Sequence, residues 1–344
     1  MNLADLNKVA LAMVAPGKGL LAADESSGTI KKRFDDINVV STEESRRDYR
    51  EMLFRTREAM TQCISGVILY DETIWQNAGD GTPLVRLIEQ AGAIPGIKVD
   101  EGTQALPGCP GERVTVGLDN LAARLKKYYD AGARFAKWRA VIDIAAGHQV
   151  PTMTAIHVNA HALARYAALC QSAQIVPIVE PEVLMDGDHD IERCYEVTQR
   201  VLNKTFQELR IQRVALEGMV LKPNMVVPGQ KNPRQSSVEE VAEKTVRLLK
   251  ACVPAAVPGI AFLSGGQPDK DATAHLDAMN RIGNLPWRLT FSYGRALQAA
   301  PLKAWSGKAE NVAAGQQAFN HRARMNSLAS RGEWTADLET GKAR

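Results

Sequence analysis

Residues 19–28 read Gly-Leu-Leu-Ala-Ala-Asp-Glu-Ser-Ser-Gly, an apolar run that breaks abruptly into acidic and hydroxyl side chains. Such a run, with no polar side chain before its end, is what a strand buried on both faces of a parallel sheet looks like. The turn after it decides between the two architectures built from such strands. A doubly wound open sheet would carry G-x-G-x-x-G there, so that the backbone can approach a pyrophosphate. Asp24-Glu25-Ser26-Ser27-Gly28 has no such pattern. It places a carboxylate at the end of the strand, where a barrel displays its chemistry.

Working outward, seven further apolar runs follow: 66–72, 94–100, 134–140, 175–182, 218–224, 259–266 and 289–295. Amphipathic helical patterns separate them. In 117–131, for example, Leu118, Leu121, Ala122, Leu125, Tyr128 and Tyr129 share one face. Other helices are predicted over 43–62, 82–91, 152–172, 189–210, 237–251 and 270–282. Eight strand–helix alternations predict an α/β fold, a (β/α)8 TIM barrel. One extra helix is predicted before the first strand, over 2–15, and one at the C-terminal end, near 306–329. No linker divides the chain, so residues 1–344 are expected to form a single domain, with 330–344 a flexible tail.

The composition, 45% hydrophobic and 24% charged, is that of an ordinary soluble domain. A net charge of +3 is too mild for a dedicated nucleic-acid binder, and no basic run carries interleaved aromatics. No apolar stretch approaches the ~20 residues that span a bilayer. The first residues lack a basic segment followed by a long apolar one, so no secretory signal is expected. Cys63, Cys109, Cys170, Cys194 and Cys252 are scattered and odd in number, which suggests reduced thiols in the cytoplasm.

The strand ends carry the chemistry: Asp24, Lys98, Lys137, Arg139, Glu180, Glu182, Lys222, Ser264 and Arg295. Side chains alternate along a strand with period two, so Lys137 and Arg139 share a face, as do Glu180 and Glu182. Any one such charge is most simply a rim salt bridge. Several converging in one barrel are better explained as an active site, because apolar packing would be the cheaper structural device. Lys222 is the most telling, an amine set inside GMVLKPNMVVPG (218–229). Desolvation and the nearby cations Lys137 and Arg139 both favour its neutral form. A neutral amine attacks carbonyl carbon and leads to a Schiff base. Glu180 or Glu182 would move protons for dehydration, and Asp24 would take a hydroxyl proton. Lys137 is the rival nucleophile, although Arg139 beside it and Trp138 opposite suit anion positioning.

Two loops suggest phosphate binding: Ser264-Gly265-Gly266-Gln267 and Ser292-Tyr293-Gly294-Arg295. Loops after the seventh and eighth barrel strands are the usual phosphate site, with glycine N–H groups and an arginine fork as donors. Ser26, Ser27, Arg33 and Lys98 suggest a second anion site, hence a substrate phosphorylated at both ends. His157 and His161 lie four apart on a helix but lack a third ligand, so no metal site is expected. His189 reads as a loop or cap residue. Trp75, Trp287 and Trp305 read as packing or subunit contacts.

The runs GKGLLAADES, GIKVDEG, FAKWRAV, PIVEPEVL, LKPNMV, FLSGGQ and LTFSYGRALQ resemble the class I fructose-bisphosphate aldolases, in order from about residue 16 to about 330. The resemblance implies a metal-independent, cofactor-free lyase of glycolysis and gluconeogenesis, a homotetramer that works on a phosphorylated ketose. It implies Lys222 as the Schiff-base lysine, Glu180 as its general acid/base and Asp24 as the base for the C4 hydroxyl. Lys137, Arg139 and Glu182 would position intermediates. Ser264, Gly265 and Arg295 would hold the C1 phosphate; Ser26, Arg33 and Lys98 the C6 end; and Arg46 a further part of the substrate, with Gly266 and Gly294 of the two loops also counted as substrate-binding.

Animal members of that family end in a tail whose last residue, a tyrosine, reaches the active site. The last tyrosine here is Tyr293. Protonation of the enamine is therefore expected to fall to Glu180, and deletion of 336–344 is expected to leave cleavage nearly intact. Two alternatives stand beside the main reading: another phosphorylated ketose such as sedoheptulose bisphosphate, and a barrel whose role is binding or scaffolding. The second would want a lost catalytic residue, and Asp24, Lys137, Glu180 and Lys222 are all present.

Overall fold

Phe135 fills the interior of the barrel, and its neighbours are shaped around it. A Cβ added at Gly66 would meet Phe135 Cε1 at 2.9 Å, and one at Gly96 would run into the same ring. The computed structural model describes residues 1–144 and 150–340. Among the described residues there are ten strands: β1 (Gly19–Ala23), β2 (Ile64–Leu69), β3 (Ile94–Lys98), β4 (Thr103–Ala105), β5 (Arg113–Thr115), β6 (Phe135–Ile142), β7 (Val176–Val183), β8 (Val220–Leu221), β9 (Gly259–Phe262) and β10 (Arg288–Tyr293). Eight of them close a parallel barrel in the order β1-β10-β9-β8-β7-β6-β3-β2. The expected (β/α)8 TIM barrel is the fold.

The helices are α1 (Leu3–Met13), α2 (Ser27–Asp35), α3 (Glu43–Phe54), α4 (Arg57–Gln62), α5 (Asp71–Ile74), α6 (Leu84–Gln90) and α7 (Leu121–Asp130). They continue with α8 (Met153–Ser172), α9 (Ile191–Ile211), α10 (Val238–Cys252), α11 (Asp269–Ile282), α12 (Arg295–Trp305) and α13 (Val312–Ala329). Helix α1 closes the N-terminal mouth: Leu6, Ala10 and Met13 join Leu20, Phe135, Val176, Ile178, Val220 and Ala261 in one buried cluster. Its attachments all lie at strand beginnings. Met13 O accepts from Ser65 Oγ at 2.5 Å, and Asn7 Nδ2 donates to Glu217 O at 2.8 Å.

Several features differ from the sequence reading. The helix predicted over 43–62 is two, because Thr56 leaves the helical region at ψ 80°. The short antiparallel pair β4–β5 was not foreseen, and nor were α2 and α12. Helix α12 starts at Arg295, directly after β10, so the second glycine-arginine loop is a helix N-terminus. The segment expected as a flexible tail over 330–344 is tied down in its described part: Trp334 N donates to Asp277 Oδ1 at 2.8 Å, and Glu339 accepts from Arg322. Residues 341–344 lie outside the described residues.

All five cysteines are free thiols. Trp305 is buried against Phe34 and Tyr49, Trp287 is buried with Nε1 donating to Pro254 O, and Trp75 is exposed. Among the described residues no helix is long and apolar enough to cross a membrane.

Candidate active site

Lys222 sits where β8 ends. Its backbone N–H still donates to Val179 O at 2.8 Å, but Pro223 has no N–H with which to extend the ladder. Asn224 then anchors the turn by accepting from Val183 N at 3.0 Å. The Lys222 side chain is thereby held at the C-terminal mouth on rigid strands.

Four charged groups form a chain across that mouth. Asp24 Oδ2 lies 2.7 Å from Lys137 Nζ, Lys137 Nζ lies 3.5 Å from Glu180 Oε2, and Glu180 Oε1 lies 3.2 Å from Lys222 Nζ. Lys137, Glu180 and Lys222 are buried. Burial alone would push the Asp24 carboxyl up, but Lys137, Lys222 and Lys98 outweigh it and hold Asp24 well below the usual carboxylate range. Burial likewise opposes the Lys137 ammonium, and Asp24, Glu180 and Asp100 overcome it and raise its pKa. A carboxylate, Glu180, lies between the two amines, at the distance for passing a proton to or from Lys222.

A second layer flanks this chain. Arg139 pairs with Glu182, and Lys98 lies 3.3 Å from Asp100. The mouth opens into a cavity of about 500 Å³ lined by Asp24, Ser26, Arg33, Lys98, Lys137, Arg139 and Gly294, with Glu25, Thr29, Asp100 and Thr103. The last four were missed. Asp100 could have been found, since it stands two residues after Lys98 on the same strand line, the relation already used for Lys137 and Arg139.

The two glycine loops meet. Gly265 and Gly266 have φ of +62° and +101°, and a Cβ at Gly266 would come within 3.0 Å of Arg295 Nη2. Left-handed backbone and a packed guanidinium together make glycine the fitting residue there. Ser264 is buried in the same loop. Arg33, grouped in the sequence reading with Ser26 and Lys98, is gripped by Glu25 and reaches toward Gly294. The Arg295 pKa is lowered, first by burial and then by Arg33. Two guanidiniums that repel one another at one rim are relieved by an anion between them.

Arg46 is placed differently. It lies on α3, held by Glu72 and by Ser41; like Glu180, Glu182, Lys222, Ser264 and Arg295, it is not among the residues that line the cavity. Buried Arg50, also missed, stands between Glu25 and Glu72. Ser27 opens α2, whose cap is Ser26: Ser26 Oγ accepts from Thr29 N. His157 and His161 both point Nδ1 at Glu208, at 3.5 and 3.1 Å, and Lys204 shares that carboxylate. His189 is a loop residue whose carbonyl accepts from Gly229 N. Among the described residues no group of His, Cys, Asp or Glu is arranged to hold a metal ion.

The sequence profile of the family described as fructose-bisphosphate aldolase class-I matches residues 5–344. The chain belongs to the class I fructose-bisphosphate aldolases. It is 57% identical over 335 residues to a Xanthomonas campestris protein named probable fructose-bisphosphate aldolase class 1, covering 97% of this chain and 99% of that one. It is 54% identical to an Arabidopsis thaliana cytosolic fructose-bisphosphate aldolase, over 95% of this chain and 83% of that one. A solved structure of the Plasmodium falciparum aldolase, in complex with TRAP and a small-molecule inhibitor, superposes with a TM-score of 0.95 at 48% identity, covering 97% and 96% of the two chains. As a class I aldolase the chain is a lyase of the metal-independent type. The buried amine, neighbouring carboxylates and cationic rim are what that chemistry asks of a barrel mouth.

Proposed function

We propose that this aldolase cleaves fructose 1,6-bisphosphate reversibly to dihydroxyacetone phosphate and glyceraldehyde 3-phosphate, with Lys222 as the Schiff-base lysine. The observation that carries the assignment is the ordered contact series Asp24–Lys137–Glu180–Lys222 at the mouth of a cation-rimmed cavity. The Lys222 amine adds to the C2 ketone, and Glu180 protonates the departing hydroxyl so that water leaves. The iminium at C2 is then an electron sink. Asp24 removes the C4 hydroxyl proton, the C3–C4 bond breaks, and its electron pair moves to C3 as the enamine. Asp24 is ionised but a weak base, so the driving force comes from the sink. Glu180, left as a carboxylate by the dehydration, takes up a proton from solvent and delivers it to C3 of the enamine, Asp24 returns the C4 proton to solvent, and water then releases the ketone.

Lys137, Arg139 and Glu182 position these intermediates. Ser264, Gly265, Gly266, Gly294 and Arg295 hold the C1 phosphate, with Arg33 close enough to contribute, while Ser26 and Lys98 face the other end. The chain works as one (β/α)8 domain of a cytoplasmic homotetramer in glycolysis and gluconeogenesis, and no metal enters the chemistry.

Turnover of fructose 1,6-bisphosphate in the presence of EDTA, followed by borohydride trapping and peptide mapping, tests the reading. Full activity and a label on Lys222 are expected. Loss on chelation, or a label on Lys137, overturns this mechanism. Competition with sedoheptulose bisphosphate ranks the ketoses.

A further inference from the structure

The loop Ser264–Gly265–Gly266–Gln267 has two successive left-handed glycines, so its shape must be set by whatever its other residues touch. An exposed residue, Gln230, donates to Gly266 O at 3.3 Å. The buried anchor is Gln267. Its Nε2 donates to Ser264 O at 3.1 Å and contacts Met225 Sδ at 3.6 Å. That orientation turns Oε1 toward α11, where His275 Nδ1 lies 2.7 Å away. An amide oxygen only accepts, so His275 carries its hydrogen on Nδ1 and donates. Burial holds the His275 pKa down at about 4, outweighing the carboxylates of Asp271 and, from α10, Glu239. The ring is neutral at pH 7, and its one N–H is committed to Gln267.

Helix α11 also holds the other loop. Tyr293, fully buried at the end of β10, donates its hydroxyl to Ala272 O at 2.9 Å. One helix thus fixes the loop after β9 through His275 and the β10–α12 junction through Ala272. Arg295 and Gly266 come together between those two anchors.

We propose that His275 is a positioning residue of the phosphate grip, holding Gln267 and with it the Ser264–Gly266 backbone in register with Arg295. The proposal rests on the reading of these loops as the C1-phosphate site. A histidine buried only to fill α11 would influence stability alone. A histidine that sets the loop must influence affinity for anions.

The test measures kcat and KM for fructose 1,6-bisphosphate, the inhibition constant of inorganic phosphate, and the melting temperature. The proteins are the full chain, His275→Ala, His275→Asn, Gln267→Ala, His275→Ala with Gln267→Ala, and Arg295→Ala. His275→Ala should raise KM and the phosphate inhibition constant about fivefold, the equivalent of one net hydrogen bond. A kcat change below about twofold would complete the split between binding and chemistry. His275→Asn, which restores an N–H donor, should recover most of the loss. The double variant should be no worse than Gln267→Ala. Should His275→Ala fail to fold, Gln267→Ala must show the same rise in both constants. If Arg295→Ala raises both constants and the His275 variants raise neither, the phosphate site stands and the role of His275 is refuted. If Arg295→Ala also changes neither, the phosphate reading fails and takes this proposal with it. A drop in melting temperature without a change in the phosphate constant reduces His275 to packing and overturns the proposal.

Discussion

Glu339 sets both carboxylate oxygens on Nη1 of Arg322, at 2.7 and 2.5 Å, and neither side chain is more than 4% exposed. Trp334 Nε1 and His321 Nε2 approach the same carboxylate at 3.1 and 3.2 Å. Arg322 Nη2 in turn donates to Thr273 Oγ1 at 2.6 Å, in the first turns of α11. The C-terminal segment is therefore latched onto the helix that follows the β9 loop.

This latch revises what removing the chain end should do. Deleting 336–344 takes away Glu339 and leaves buried Arg322 with Thr273 and the more distant carboxylate of Asp269, a change of the class that costs about 3 kcal/mol. The deletion, and Glu339→Ala, should lower the midpoint in urea. Cleavage measured well below the melting temperature should persist, because Glu339 touches no group proposed for the chemistry. A deletion variant as stable as the full chain would show that the latch contributes nothing.

The same carboxylate makes stability depend on pH. Burial raises the Glu339 pKa, but Arg322, His321 and Trp334 outweigh it and lower the folded-state value. A depressed carboxyl contributes stability above its unfolded pKa and loses it as pH falls through the folded value. The wild type should therefore lose stability in the acid range more steeply than Glu339→Gln. Denaturant melts of the two across pH 3 to 7, run side by side, measure the difference (roughly one carboxyl's worth of proton uptake).

Asp24→Asn should separate adduct formation from cleavage. The base that accepts the C4 proton is gone, so kcat should fall by about 10²–10⁴-fold. Borohydride should still trap a Lys222 adduct, because Glu180 keeps its place 3.2 Å from the amine. Loss of trapping together with turnover would assign Asp24 to imine formation instead.

Arg295→Ala removes charge-assisted donors, worth ~1.5–3 kcal/mol per hydrogen bond to a charged group. KM for the bisphosphate should rise by roughly 10–100-fold. A substrate without the C1 phosphate should lose much less. Equal losses for the two substrates would place Arg295 in the scaffold.

Inside the barrel, Gly96→Ala forces a methyl group into the Phe135 ring, an overpacking change that costs about 1–3 kcal/mol or more. Pairing it with Phe135→Leu should return part of the lost melting temperature. No recovery in the pair would show that the strain lies in the backbone of β3 and not against the ring.

The barrel was legible because its strands are buried on both faces and read as unbroken apolar runs, GLLAA in β1 being the plainest. Period-two spacing then exposed Lys137 with Arg139 and Glu180 with Glu182. What escaped has physical reasons. Strands β4 and β5 are three residues each, too short for a periodic signal. Helix α12 leaves β10 without a loop and contains Pro301, which masks it. The Glu25–Arg33–Arg50–Glu72 network joins residues from a strand end and three helices, and nothing local announces such pairings. The pairing of Arg46 with Glu72 is equally non-local.

The stopper formed by α1 has a practical corollary. It caps the ends at which the strands begin, while the amine and the cation rim occupy the ends at which they finish, about 16 Å away along a five-residue strand. The first residue of the chain therefore emerges on the pole opposite the sugar entrance. A chain tethered to a bead or electrode through residue 1 would face its open mouth to the solution, oriented by its own architecture.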